Sequence, residues 1–286
     1  MKKILVPIDF SPNSKNALRI AAEIAAKNGA TIELLHTNVA AIYAMPLSEY
    51  ASTTVYAEDQ GYDESASRLL ERVKHELIEN PAFAKIKVDT RVEEGYLHSC
   101  IRNVAEEDAV DLVVMGTKGA TGVNEFLVGS NTEKVIRTAP CPVLAVPETT
   151  GKFSLKTVLL PSTLKDDQKG IFRYLAAWQK AFGFNVKVLY LNNPSGFPTD
   201  GSAEAEKNRL AEAAGLAKPE VIMAMGSFFE DDTILSVAEQ YDVNMIAMAT
   251  HQRHGLSHVF FGSVTEDTVN HSNIPVLAVP ISLLKD

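Results

Sequence analysis

Gly116, Gly119 and the Gly129-Ser130 pair form a G-x2-G-x9-G-S spacing that starts directly after the apolar run DLVVM and ends where an amphipathic stretch begins. Glycines in that context let backbone N–H groups approach an anion, and a helix start after them adds a favourable dipole, so the chemistry they suggest is phosphate binding. A carboxylate near such a loop adds a second function, because it accepts hydrogen bonds from ribose hydroxyls or a base amine. Asp9, which follows the apolar run KILVPI, is placed to do this if the two runs are neighbouring strands.

The segment 115 to 147 recurs at 248 to 280 with a change of chemistry. Ala249 and Gln252 stand where the first copy has Gly116 and Gly119, and Thr163 stands where it has Asp9. Gly129-Ser130 recurs as Gly262-Ser263, and PVLAVP closes both copies. Ser130 has two readings, since Ser130-x-x-Glu133 matches a capping box and so does Ser263-x-x-Glu266, which would keep both serines without any ligand. His251, His254 and His258 lie in the altered loop at spacings of three and four. Such spacing can converge on a metal when helical, but no acidic or Cys partner is nearby, and the residues read as exposed polar loop positions.

Placing these residues requires a scaffold. The chain has 286 residues, 46% of them hydrophobic, enough for two domains with separate cores. The first half alternates strand-like and helix-like runs: 3 to 8, 12 to 28, 31 to 37, 61 to 80, 85 to 92, 96 to 107, 111 to 115, 130 to 138 and 142 to 146. Leu18, Ala21, Ala22 and Ala25 form one helical face, with Ser11 as cap and Pro12 at the first helical position. The second half repeats the order at 157 to 162, 166 to 182, 186 to 191, 203 to 214, 220 to 225, 230 to 241, 243 to 248, 263 to 271 and 275 to 279. The expected fold class is α/β: two doubly wound, Rossmann-like sandwiches, each with a five-stranded parallel sheet. The expected domains are 1–147 and 156–286, joined by a linker at 148–155. The first half carries about twenty extra residues, assigned to a long loop at 38 to 60 with possible helical turns, of the kind that serves as a lid or an interface. If the strand order is 3-2-1-4-5, the winding reverses between strands one and four, which would bring Asp9 and Gly116 to one crevice.

Composition limits the ligand. A net charge of −9 with no long basic run argues against nucleic-acid binding but leaves room for a small nucleotide held by backbone amides. No window approaches the roughly 18 to 20 apolar residues of a membrane helix, and MKKILVPIDF is not a signal peptide, so no membrane association and a cytoplasmic location are expected. Cys100 and Cys141 read as core residues rather than a disulfide or thiol motif.

VPIDFS near the start, the G-x2-G-x9-G-S spacing and the closing PVLAVP together resemble the universal stress protein family, here as a tandem, UspA-like, two-domain member. That resemblance implies adenine nucleotide, ATP or AMP with Mg²⁺, as the ligand of the first domain. By position it places Asp9 on the ribose, Pro7, Ile8 and Thr37 near the adenine, and Met115, Gly116, Lys118, Gly119, Gly129, Ser130, Asn131 and Thr132 along the ribose and phosphates. It also implies that the two PVLAV edges pair within the chain as a pseudo-dimer, with further homodimerisation and an unidentified protein partner left open.

Three function classes stand at this point: a nucleotide-binding regulatory protein in a stress response, a slow ATPase or phosphate or adenylyl transferase, and a nucleotide-independent interaction module. No G-x4-G-K-[ST] loop, nucleophile elbow or paired carboxylate demands catalysis, so no catalytic residue is assigned. The first class is the leading one.

Overall fold

The computed structural model describes residues 1–38, 52–117, 130–148, 153–162, 164, 168–192, 200–225, 231–250 and 261–283. In chain order the first half runs β1 (Lys3–Pro7), α1 (Pro12–Asn28), β2 (Thr31–Asn38), α2 (Ser52–Ile78), β3 (Val88–Glu94), α3 (Leu97–Glu107), β4 (Leu112–Gly116), α4 (Ser130–Thr138) and β5 (Val143–Val146). The second runs β6 (Thr157–Pro161), α5 (Lys169–Phe182), β7 (Asn185–Asn192), α6 (Asp200–Ala214), β8 (Glu220–Met225), α7 (Asp231–Gln240), β9 (Met245–Thr250), α8 (Phe261–His271) and β10 (Val276–Pro280). All ten strands form one sheet of order β3-β2-β1-β4-β5-β10-β9-β6-β7-β8. Each half is parallel and has the 3-2-1-4-5 order. The halves join through β5 and β10, which pair antiparallel in the register Val276 to Ala145, Leu277 to Leu144 and Ala278 to Val143.

The central strands are apolar on both faces because both faces are covered. Ile4, Val6, Ile32 and Leu34 pack beneath α1 and α2, and their core continues through Val158, Leu160 and Leu175 in the second half. On the other face Leu5, Leu35, Val113 and Val143 pack with α3 and α4, and this core runs on to Ile246, Val264 and Val276. Each face therefore carries one core that crosses both halves.

Local signals account for α1. Ser11 is extended at φ −69 and ψ 160, its Oγ accepts from Ser14 N at 3.2 Å, and Pro12 takes the first helical position. The helix stops at Gly29, whose φ of 67 suits a residue without Cβ.

Two expectations are corrected. The stretch 38 to 60 is not loop throughout, because α2 begins at Ser52; residues 39 to 51 lie outside the described residues. In the second half Ser263 is not a helix cap, since α8 starts at Phe261, and the carboxylate of Glu266 is engaged elsewhere. Arg137 of α4 donates from Nε and a terminal nitrogen to its two oxygens, a bidentate pair between the halves, and also meets Glu133 at 2.5 Å. Cys100 and Cys141 are buried and free, as read, and burial pushes the Cys141 thiol up to about 12.

At the N-terminal end of β1, Lys3 Nζ donates to Asp108 at 3.1 Å and to Glu33 at 3.2 Å. The Lys3 bond holds Asp108 below its ordinary value of 3.8. Burial pushes buried Glu33 up despite the same lysine.

Arg137→Ala should lower the unfolding free energy by about 1–2 kcal/mol, because Glu266, only 11% exposed, loses its partner; chemical denaturation measures this, and an unchanged midpoint would show that the pair contributes nothing. A carboxyl whose folded pKa is depressed stabilises the fold above its unfolded pKa and loses that contribution as pH falls through the folded value. Asp108→Asn should therefore flatten the fall in stability below about pH 4 while costing stability at neutral pH, as read from denaturation midpoints across that range.

Candidate nucleotide-binding site

The strands diverge where the winding reverses. β1 and β4 pair only at Ile4 to Leu112 and Leu5 to Val113, although both run on toward their carboxyl ends, and β6 and β9 likewise pair only at Val158 to Met245 and Leu159 to Ile246. Each half thus opens a crevice beyond these rungs, where ligands of open α/β sheets bind.

In the first half Pro7 ends β1 and is buried, Ile8 follows it, also buried, and Asp9 emerges exposed. Ile8 N donates to Leu35 O of β2 at 2.8 Å, and His36 Nδ1 lies 2.7 Å from Ile8 O, which fixes that nitrogen as the donor. Asp9 Oδ1 accepts from Ser11 N at 3.0 Å and from Ser11 Oγ at 2.6 Å. The serine that caps α1 thus also orients the carboxylate. Between them Phe10 takes a left-handed backbone, φ 64, and sets its ring 4.8 Å from that of His36. Thr37 lies half-buried near the end of β2.

From the β4 side come buried Met115 and then Gly116. A Cβ at Gly116 would lie 3.1 Å from Asn13 O and 3.2 Å from Asn13 C, so a side chain there would require the first turn of α1 to give by a few tenths of an ångström. This glycine therefore has a packing reason independent of any ligand. Thr132, 2% exposed in the first turn of α4, donates from Oγ1 to Gly116 O at 3.1 Å and ties the helix start to the strand end, while Asn131 is exposed beside it. The structure thus gathers Pro7, Ile8, Asp9, Thr37, Met115, Gly116, Asn131 and Thr132 around the carboxyl ends of β1, β2 and β4. Lys118, Gly119 and Gly129 lie outside the described residues, and of Ser130 only its place as the first residue of α4 is described.

His36 and Asn13 escaped the sequence reading. His36 acts through a cross-strand bond to a main-chain carbonyl, which no spacing encodes, and Asn13 matters through its backbone. A lone histidine near the end of strand two was the available signal.

The second half keeps the loop and changes the chemistry. Ser162 N donates to Leu189 O at 3.0 Å, as Ile8 does to Leu35, and Leu164 has the left-handed φ of 57 found at Phe10. The turn is braced by buried Ser162, whose Oγ accepts from Leu164 N at 3.0 Å, and Tyr190 takes the place of His36. Thr163 and the histidines 251, 254 and 258 lie outside the described residues. Among the described residues no group of three or more His, Cys, Asp or Glu could hold a metal, and no helix is long and apolar enough to cross a membrane.

Gly116→Ala should destabilise the protein by about 1–3 kcal/mol in the absence of any ligand, as overpacking against fixed backbone does. A thermal midpoint equal to that of the parent would remove the packing account of this glycine.

Comparison with known proteins gives a consistent result. A family model described as the universal stress protein family matches residues 1–147 and again 155–280. A universal stress protein of Methanocaldococcus jannaschii is 35% identical over 149 residues, covering 51% of this chain and 81% of the relative. One of Thermus aquaticus is 30% identical over 146 residues, covering 51% of this chain and 98% of the relative. Over nearly the full length, the crystal structure of a universal stress protein from Archaeoglobus fulgidus matches with a TM-score of 0.75 at 20% identity, covering 98% of both chains, which is a likeness of fold.

Proposed function

Because the chain belongs to the universal stress protein family through both of its halves, we propose that its first half, residues 1–147, binds an adenine nucleotide, ATP or AMP, in the crevice between β1 and β4. The observation that carries the reading is Asp9, a carboxylate exposed just beyond the end of β1 and held by two bonds from Ser11. A carboxylate fixed there accepts from ribose hydroxyls at little cost in ordering, while Gly116 and the N-terminus of α4 face the phosphate side. Mg²⁺ would enter on the phosphates of ATP. Pro7, Ile8 and Thr37 are the candidates for the base, and Met115, Lys118, Gly119, Gly129, Ser130, Asn131 and Thr132 for the ribose and phosphates.

The nucleotide acts as a ligand that alters conformation or partner choice in a cytoplasmic stress response, rather than as a substrate turned over quickly. The second half, residues 156–286 beyond the linker at 148–155, is the scaffold that completes the sheet. It supports this division that the second half keeps the turn geometry with a buried serine hydroxyl and has no carboxylate in place of Asp9.

ATP with Mg²⁺ should raise the thermal midpoint of the intact protein, and Asp9→Ala should weaken binding by about ten- to hundredfold in calorimetric titration. Protein that shows no response to ATP, ADP or AMP, or an Asp9→Ala variant that binds as tightly as the parent, would overturn the proposal.

A further inference from the structure

A pocket of about 140 Å³ lies between the halves at the opposite end of the first-half strands from the crevice, lined by Met1, Asn28 and Asp111 on one side and by Tyr174, Ala177, Trp178 and Phe182 of α5 on the other. The rings of Tyr174, Trp178 and Phe182 recur every fourth residue along α5, with centroids 6.0 and 5.4 Å apart. α1, the repeat counterpart of α5, carries Ile20, Ile24 and Asn28 at those positions, so the aromatic face belongs to the second half alone.

Asp111 gives the pocket its charge. Its Oδ2 accepts from Lys2 N and from Lys3 N, the latter at 2.9 Å, and so brackets the start of β1. Asn244 does the same for β6, its Oδ1 accepting from Lys156 N at 2.9 Å and from Thr157 N at 3.0 Å. A neutral amide therefore suffices for the bracket, and the negative charge of Asp111 exceeds what the fold requires. That charge and the aromatic side chains line the same pocket, and burial pushes the Tyr174 hydroxyl well above its ordinary value. A cation already sits over one of these rings, Lys27 Nζ lying 5.2 Å from the Phe182 centroid, and Lys27 is not among the residues that line the pocket.

We propose that this pocket binds a small organic ammonium cation, its methyl or methylene groups against Trp178 and Phe182 and its charge toward Asp111. Aromatic faces and a carboxylate on opposite sides are the chemistry that distinguishes an alkylammonium ion from a neutral molecule of the same shape. The volume suits a head group of that kind, since a cavity of about 150 Å³ takes benzene. The site is separate from the nucleotide crevice and stands whether or not a nucleotide binds there.

Trp178 is the single tryptophan of the chain, so its emission reports on this pocket. The full chain is titrated with tetramethylammonium chloride, against sodium chloride at equal ionic strength and tert-butyl alcohol as the neutral isostere. A saturable change is expected with the ammonium salt and not with sodium chloride, at about tenfold lower concentration than with the alcohol. Asp111→Asn should weaken the ammonium ion about tenfold and leave the alcohol and the thermal midpoint unchanged, because Asn244 shows that an amide holds the strand start. A response that does not saturate, equal concentrations for cation and alcohol, or an Asp111→Asn variant that binds the cation as well as the parent would overturn the proposal. If Asp111→Asn does not fold, Phe182→Leu carries the test: it must weaken the cation more than the alcohol, and equal weakening of the two overturns the site.

Discussion

The antiparallel pairing of β5 with β10 is the constraint on which the molecule depends. Both strands read VLAV and are buried on both faces, so either one left as an edge would expose unpaired main chain beside a fully apolar strand. Pairing them satisfies both edges at once and makes the two cores continuous across the sheet. The halves are thereby locked in one relation, and contacts that neither half makes alone become possible. Arg137 reaching Glu266 on the α4/α8 face is one, and the approach of α5 to the end of α1 on the other is a second. The outer edge at β3 is protected differently, by the charged side chains of Asp89, Arg91, Glu93 and Glu94.

Given that frame, the crevice follows from topology rather than from any motif. Two rungs of pairing and then divergence occur between β1 and β4 and again between β6 and β9. The left-handed residue after the first strand and its main-chain bond to the neighbouring strand recur as well. What differs is the group that braces the turn: in the first half a carboxylate emerges and is held by the capping serine, and in the second a buried hydroxyl turns inward to a main-chain amide. The scaffold is shared, and the chemistry is placed on it by single side chains.

Strand order and the pairing between the halves came with the family resemblance, whereas the crossover helices and the parallel strands were legible in the sequence itself, as helical periodicity and as runs apolar on both faces. The start of α2 was not. Ser52, Thr53 and Thr54 carry no apolar stripe and favour other conformations, so only the downstream turns of the helix signal it. Ser263 matched a capping box because its spacing to Glu266 is right, but that glutamate is taken by an arginine far away in sequence, a competition that no local pattern records. Of the residues read as one crevice, Thr132 and Gly116 are joined by a hydrogen bond and Asp9 follows the end of β1. The reason for Gly116 was read only in part, since the approach of Asn13 depends on how α1 lies across the end of β4.

A duplicated chain provides an internal control for such distinctions. Wherever both halves carry out the same main-chain task with different side chains, the difference is not demanded by the fold. Asp111 and Asn244 bracket the first strand of their halves with nearly the same geometry, so carboxylate and amide are interchangeable in that role and the charge is open to another use. By the same reasoning the αL turns at Phe10 and Leu164 belong to the scaffold, since two unrelated side chains adopt a backbone that most residues avoid. His36 lies between these cases: its bond to Ile8 O supports the turn from the side chain, at a register position where the other half carries Tyr190.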